Sequence, residues 1–259
     1  MMRYYVVDAF ADQVFQGNQA GVCLLDAALD DSTMQKIAAE NNLAETAFVL
    51  PKGHDFALRW FTPEVEVDLC GHATLASAYI VSEYLDPDLQ TVRFHTISGM
   101  LEVTKQGDLL EMDFPVRKPQ EIQTTPLMEQ AIGCPVLGAY LARDLLLLVR
   151  DEQAVQSLTP NLELLRQLPD CFAVIVTAKG CTADFVSRFF APKAGIPEDP
   201  VTGSSHCTLI PFWAERLGKQ RMTAKQLSKR GGTLYCKNCG ERVKISGKAV
   251  LYLCGEIHC

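Results

Sequence analysis

Asp55-Phe56-Ala57-Leu58-Arg59-Trp60-Phe61-Thr62-Pro63 and Asp184-Phe185-Val186-Ser187-Arg188-Phe189-Phe190-Ala191-Pro192 are two versions of one pattern. Asp, Phe, Arg, Phe and Pro match in register, and an aromatic faces an aromatic at Trp60 and Phe189. The offset from residue 55 to residue 184 is 129, about half of a 259-residue chain. Just downstream, Glu66 stands five residues before Gly71, and Glu198 stands five before Gly203. The match predicts an internal duplication, the feature to look for before any single element is assigned.

Each half reads alike beyond the match. An apolar strand ends at Arg-aromatic-Phe-x-Pro, an acidic loop with a glycine follows, and a helix opens after the glycine. The first helix is expected over 72–84 and the second over 204–217, both apolar on several sides, as in a helix wrapped by a sheet. Most other segments read as short strands: 3–8, 46–50, 56–61, 91–95, 100–105, 109–114, 138–149 as two, 172–177, 184–190, 232–237, 241–246 and 249–254. A surface helix over 33–42 is expected to start at Ser32, with Gln35 closing a capping box. Phe114-Pro115-Val116-Arg117-Lys118-Pro119 breaks the periodicity and marks the link. The expected fold is α+β in two pseudo-symmetric domains, 1–116 and 117–259, each a curved, mostly antiparallel sheet around one central helix. The last strand, near 249–257, is expected to return to the first domain.

Composition narrows the function. The net charge of −7 and the absence of a basic stripe argue against a nucleic-acid partner. No run approaches the roughly 18 apolar residues of a membrane span. Met1-Met2-Arg3-Tyr4-Tyr5 lacks the apolar core of a signal peptide, so the ten cysteines read as reduced thiols of a cytoplasmic protein. Cys236-Lys-Asn-Cys239 has a zinc-like spacing, but Cys254 and Cys259, with four residues between them, are wider apart than most zinc ribbons use. Thiols on a hairpin, with Asn238-Cys239-Gly240 as its turn, are the preferred reading.

The candidate chemistry lies at the two helix starts. A helix N-terminus offers unpaired N–H groups and partial positive charge. Gly71 and Gly203 would let backbone approach an anion, and two such termini facing across a pseudo-twofold would form a carboxylate-binding cleft. Asp68, Cys70 and His72 belong to the first loop; Asp199, Thr202 and Ser204 belong to the second. Glu45, among apolar and small residues between helix and strand, is expected to have its carboxyl pKa raised towards neutrality. Taken by itself, its local pattern also suits a capping or surface carboxylate. Arg59 and Arg188 are expected to pair with acidic residues of their own halves, and His54, His95 and His258 to be surface or structural. His206 and Cys207 fall in the second helix's first turn, where one could face the cleft.

These motifs resemble the phenazine-biosynthesis PhzF-like family. The resemblance runs through Val7-Asp8-Ala9-Phe10, Phe15-x-Gly17-Asn18, Asn41-x-Leu43-x-Glu45-Thr46-Ala47-Phe48, Arg59-Trp60-Phe61-Thr62-Pro63, Glu66-Val67-Asp68-Leu69-Cys70-Gly71-His72-Ala73-Thr74, Glu198-Asp199-Pro200-Val201-Thr202-Gly203-Ser204 and the closing Val250-Leu251-Tyr252. It implies a diaminopimelate epimerase-like fold and a homodimer. It also implies an isomerase that needs no metal or organic cofactor and shifts a proton on a small unsaturated carboxylate. Its catalytic carboxylate matches Glu45, with His72 and Asp199 beside it, and Asn18, Gly71, Thr202, Gly203 and Ser204 are expected to bind substrate. The epimerase relatives place a cysteine before each glycine; here Cys70 is kept and Thr202 takes the second place. A threonine hydroxyl lacks the acidity of a thiol, which disfavours a two-thiol mechanism. An amino-acid epimerase using unlike groups and a non-catalytic binding protein are the alternatives.

Overall fold

The computed structural model describes residues 1–259, and the chain divides into two compact units. In chain order its elements are β1 (Met2–Ala9), β2 (Asn18–Leu24), α1 (Asp31–Asn41), β3 (Glu45–Lys52), β4 (Asp55–Phe61), β5 (Glu66–Val67) and α2 (Gly71–Ile80). There follow β6 (Thr91–Thr96), β7 (Gly99–Gln106), β8 (Leu109–Pro115), β9 (Gln120–Ile122), α3 (Pro126–Ile132), β10 (Gly138–Leu141), β11 (Leu145–Leu148), α4 (Glu152–Gln156) and α5 (Leu162–Gln167). The chain closes with β12 (Val174–Lys179), β13 (Phe185–Ala191), β14 (Ile196–Asp199), α6 (His206–Leu217), β15 (Arg221–Gln226), β16 (Gly232–Asn238), β17 (Arg242–Gly247) and β18 (Ala249–Ile257). No helix is long and apolar enough to cross a membrane.

The first unit holds Met1–Asp113 and Ser246–Cys259. Here β1 lies between β18 and β2, antiparallel to both, and β2 runs parallel to β3. Beyond β3 come antiparallel β4, parallel β6 and antiparallel β7 and β8. This sheet wraps α2, of which every residue from His72 to Ala78 is buried. A buried helix must satisfy its hydroxyls locally. Thr74 and Ser77 donate to the carbonyls of Cys70 and Ala73, four residues back, at 2.6 and 2.7 Å. Beyond Ile80 the helix widens into a π-turn over Val81–Leu85.

The second unit runs from Phe114 to Ile245. Antiparallel β9, β10 and β11 lead through parallel β11–β12 to antiparallel β12–β13, and β13 pairs in parallel with β15, which pairs antiparallel with β16. Its central helix α6 buries His206 to Ile210, Phe212, Trp213 and Ala214. Pro211 sits inside α6 and has no N–H to give to the carbonyl four residues back. That carbonyl, of Cys207, instead accepts from the Arg117 backbone N–H at 3.0 Å. The segment 114–119, read from sequence as the interdomain link, begins where the second unit begins and is tied to that unit by the Val116 and Arg117 N–H groups.

Three expectations need correction. Helix α1 is capped by Asp30, whose carboxylate accepts from the Thr33 N–H at 3.0 Å, two residues before Ser32. Gln35 donates to the Thr62 carbonyl at 2.9 Å, so the Ser32–Gln35 capping box does not form. Strand β2 is absent from the sequence-based set because Asn18-Gln19-Ala20-Gly21 has weak strand propensity; pairing with β1 and β3 overrides it. Gly21 is needed there, since a Cβ would meet Tyr4 Oη at 3.0 Å and Thr46 Oγ1 at 3.1 Å. Short helices α3, α4 and α5 fall in a stretch with no long periodic pattern.

The same ionic device occurs in each unit. Arg59 forks onto Glu66 with Nε–Oε1 and Nη2–Oε2 both at 2.7 Å, and Arg188 forks onto Glu198 at 2.7 and 2.9 Å. Each guanidinium lies 5.1 Å from a phenylalanine ring centre, Phe61 or Phe190. Arg188 is the more enclosed, 12% exposed against 32%, and also donates to the Leu158 carbonyl at 2.9 Å. Removing one partner of an enclosed pair strands the other, whereas an exposed pair is worth little. Urea unfolding is expected to show Arg188→Ala losing about 3 kcal/mol and Arg59→Ala about 1 kcal/mol. Equal losses would refute the ranking.

Candidate active site

In the first unit, three chain segments meet at the start of α2. Parallel pairing of β2 with β3 puts Asn18 and Glu45, the opening residues of those strands, at one end of the sheet. Cys70 is the N-cap of α2 and His72 lies in its first turn. His72 Nε2 is 3.1 Å from Glu45 Oε2, and the side chains are 8% and 15% exposed. The approach is ionic and poorly aligned, because Oε2 finds no partner of hydrogen-bond geometry. On the other edge of the ring, Nδ1 lies 3.3 Å from Asn18 Nδ2 and 3.5 Å from Cys70 Sγ.

The charges in this cluster set one another. Burial by itself would raise the Glu45 carboxyl, but the adjoining His72 cation outweighs it and holds the carboxyl below its usual range. This overturns the expectation of a carboxyl tuned upward: the sequence shows apolar neighbours and conceals the histidine pair. Burial pulls His72 down, yet its neighbours Cys70 and Glu45 lift it well above the usual imidazole value. The Cys70 thiol is pushed up by burial and by Glu45's negative charge. A doubly protonated His72 is satisfied at Nδ1 when the Asn18 amide turns its carbonyl oxygen inward, an orientation that heavy atoms do not distinguish.

The second unit presents a different set. Asp199 ends β14, and its Oδ2 accepts a short hydrogen bond from Thr202 Oγ1. Gln226 of β15, fully buried, fixes this turn: Oε1 accepts from the Thr202 N–H at 2.9 Å, and Nε2 donates to the Asp199 carbonyl at 2.7 Å. Ser204 stands in the turn before α6, and its hydroxyl accepts from Arg143 Nη2 at 3.3 Å. The Gly203 carbonyl accepts from the His206 N–H at 3.0 Å. Neither Gly71 nor Gly203 has a positive φ, so backbone strain is not what glycine relieves at either place.

Glu45, His72 and Asn18 thus form one group beside Gly71, and Asp199, Thr202, Gly203 and Ser204 form one turn. Cys70, Gln226 and Arg143 join them without having been singled out for those contacts. Cys70 could be found from its place before Gly71; nothing local marks Gln226 or Arg143. His206 is wholly buried and is neutral, its pKa lowered to about 4 by burial, with Nδ1 against the Thr202 carbonyl at 2.8 Å. It is a core residue, as is Cys207, whose thiol burial raises to about 11. His54 and His258 are exposed, and His95 pairs with Asp55 at 3.0 Å. The ligand atoms of Glu45, Cys70 and His72 lie within 4.8 Å of one another, a set that suits a soft divalent ion as well as a proton relay.

Residues 7–255 match the family model described as phenazine biosynthesis-like protein. The chain belongs to that family. An uncharacterised isomerase of Pseudomonas aeruginosa is 51% identical over 99% of both chains. The crystal structure of a phenazine biosynthesis protein of the PhzF family from Enterococcus faecalis superposes with a TM-score of 0.98 at 47% identity, over 100% of this chain and 99% of that one. A probable proline racemase from Agrobacterium radiobacter, at 12% identity, shares the fold with a TM-score of 0.65 over 100% of this chain and 93% of its own. The α+β, epimerase-like fold is thus shown, and an isomerase-type activity goes with the family.

The pair of charges makes a prediction with a definite sign. His72, raised above its unfolded value, stabilises the protein fully below pH 6.5, and that contribution is lost as pH rises through the folded pKa. Glu45, lowered below 4.5, stabilises above that pH, and its share is lost as pH falls through the folded pKa. NMR titration of ring-labelled protein is expected to place the His72 transition above 6.5, and Glu45→Gln to lower it. A transition that Glu45→Gln leaves in place would remove the ion pair from the account.

Proposed function

We propose that the protein is a PhzF-like isomerase that moves a proton between two carbons of a small unsaturated carboxylate, with Glu45 as the acid and base. The Glu45–His72 pair, 3.1 Å apart and largely buried, is the observation that carries this reading. An ionised carboxylate in a dry setting is a base without a hydration shell to shed. It takes a proton from a carbon acidified by adjoining unsaturation, the electron pair moves into that system, and the carboxyl returns the proton at another carbon. The charge balance closes on Glu45, and no electrons are gained or lost. His72, as a cation, opposes the loss of negative charge at Glu45 in the resting state and stabilises charge that develops on the substrate.

Asp199 and Thr202 support the same choice. The Thr202 hydroxyl donates to Asp199, so the place of a second thiol is occupied by a donor already committed. We assign Asp199 to hold a polar substituent. Ser204, with Thr202 and the N–H groups near Gly203, is assigned to the carboxylate in the second unit, and Asn18 and the N–H groups near Gly71 are assigned to substrate binding in the first. An epimerase pairing Glu45 with Cys70 is the weaker reading, because burial and Glu45's charge both hold that thiol protonated. The matched Arg59–Glu66 and Arg188–Glu198 forks support an origin of the two units by duplication. We take the working form to be a homodimer in a cytoplasm that keeps its thiols reduced; all ten cysteines are free.

Solvent-deuterium exchange tests the proposal. In D2O, a panel of small unsaturated carboxylates is expected to yield at least one that gains carbon-bound deuterium. Glu45→Gln keeps the shape and removes the base, so it should slow exchange by about 10²–10⁴-fold. Full exchange in that variant would dismiss Glu45 as the proton carrier. Ser204→Ala is expected to raise KM while leaving kcat within a few-fold.

A further inference from the structure

In the second unit, Arg143 lies on the turn between β10 and β11, and the Nε–Nη2 edge of its guanidinium is used. Nε and Nη2 grip the fully buried Asp144 at 3.0 and 2.7 Å, a bidentate clamp that fixes the plane of the group. Nη2 also reaches Ser204 Oγ at 3.3 Å. Phe172 covers one face, its ring centre 4.9 Å from the guanidinium carbon, and is itself 46% exposed. The Arg143 side chain remains 36% exposed. Its Nη1, carrying two N–H donors, is not engaged by the Asp144 clamp.

A second guanidinium belongs to the same neighbourhood. Arg117 is tied by its backbone to the Cys207 carbonyl, in the first turn of α6, and its Nη1 is buried with no hydrogen-bond partner. Burial raises the Cys207 thiol, and Arg117 and Arg143 are the two cations that pull it down. Asp144 balances the charge of Arg143, and both arginines act on the Cys207 thiol, three residues beyond Ser204. A buried cationic N–H without an acceptor is costly in a resting protein and is expected where an anion completes it.

We propose that Arg143 is the specificity residue of the substrate's acid group: held flat by Asp144 and linked to Ser204, with Arg117 as the second cation, it selects a carboxylate attached to a flat unsaturated or aromatic body that lies along Phe172. This rests on the reading of Ser204 as a carboxylate-binding residue, and it goes further by naming the cation and the shape of the ligand. Arginine suits the task because its fork meets a carboxylate in a plane, and lysine would not. Phe172 then has a role beyond packing, since its exposed face offers an apolar wall to the ligand body.

The test uses the full-length protein and matched acid–amide pairs: benzoate with benzamide, trans-cinnamate with cinnamamide, sorbate with sorbamide. Binding is measured by calorimetry at two salt concentrations. At least one acid is expected to bind about tenfold or more tightly than its amide, and more weakly in high salt. Arg143→Lys keeps a charge opposite Asp144 but loses the fork, and should abolish most of the acid preference. The double variant Arg143→Gln/Asp144→Asn removes both charges, so it strands no buried carboxylate and should behave likewise. Equal binding of acid and amide, no binding of any acid, or an unchanged preference in both variants would overturn the proposal. Glu45→Gln is expected to retain the preference, which separates the two claims. Acid selection without deuterium exchange refutes the proton shift alone, and exchange that ignores Arg143 refutes the specificity role alone.

Discussion

A bidentate arginine–glutamate fork stands behind each helix start, and the rest of each site depends on it. Arg59 and Arg188 sit in the middle of strands β4 and β13, where side chains alternate and an arginine would ordinarily face water. Forking onto Glu66 and Glu198 makes each strand hold the loop that follows it. That loop has five residues in which to reach the helix glycine, so anchoring its start fixes the approach to Gly71 in one unit and Gly203 in the other. A fork has a plane as well as a distance, and so it sets direction where a single hydrogen bond would not. The phenylalanine beneath each guanidinium adds a third constraint.

With the loop fixed, the first unit's chemistry follows from desolvation and charge. His72 is carried by the helix, Glu45 by the start of a strand, and neither can retreat into water. Each would be neutral if buried alone, because burial penalises the charged form of both. Together they favour the charged forms, the carboxyl below its usual range and the imidazole above it. The resting site is therefore an ion pair, and in the proposed role a substrate proton would reach Glu45 only against the attraction of His72. Such a site gains by binding a substrate that is itself anionic, because negative charge near His72 takes up part of the attraction that restrains Glu45. Anionic substrate and ready base are then linked by the same histidine.

The fold is legible in the sequence to the extent that it rests on periodicity and self-similarity. Arg59-Trp60-Phe61 and Arg188-Phe189-Phe190 fall on strands, and the two apolar helices lie within two residues of the expected starts. What escapes is decided by neighbours distant in the chain. Strand β2 gains its conformation from β1 and β3, and the weak propensity of Asn18–Gly21 does not announce it. The site divides in the same way. Glu45, His72 and Cys70 carry their chemistry in their own side chains, and their motif marks them. Gln226 and Arg143 are ordinary residues 24 and 61 positions from Thr202 and Ser204, and only the sheet brings them there. The direction of Glu45's pKa escaped for the same reason: apolar neighbours are visible along the chain, and the cation that outweighs them is 27 residues away.

The two units share a device for placing a helix and differ in what the helix start presents. In the first, the residue before the glycine is a thiol, Cys70, held protonated against His72. In the second it is Thr202, whose hydroxyl is spent on Asp199 and whose N–H is spent on Gln226. Two matched thiols would suit a reaction that removes a proton from one face of a carbon and replaces it on the other. The second helix start cannot supply the matching thiol of such a reaction, and it presents fixed hydrogen-bonding groups instead. A helix start of that kind has no need of a thiol of intermediate pKa. It has every reason to keep groups that never change charge, and arginine, threonine and glutamine at neutral pH are of that kind.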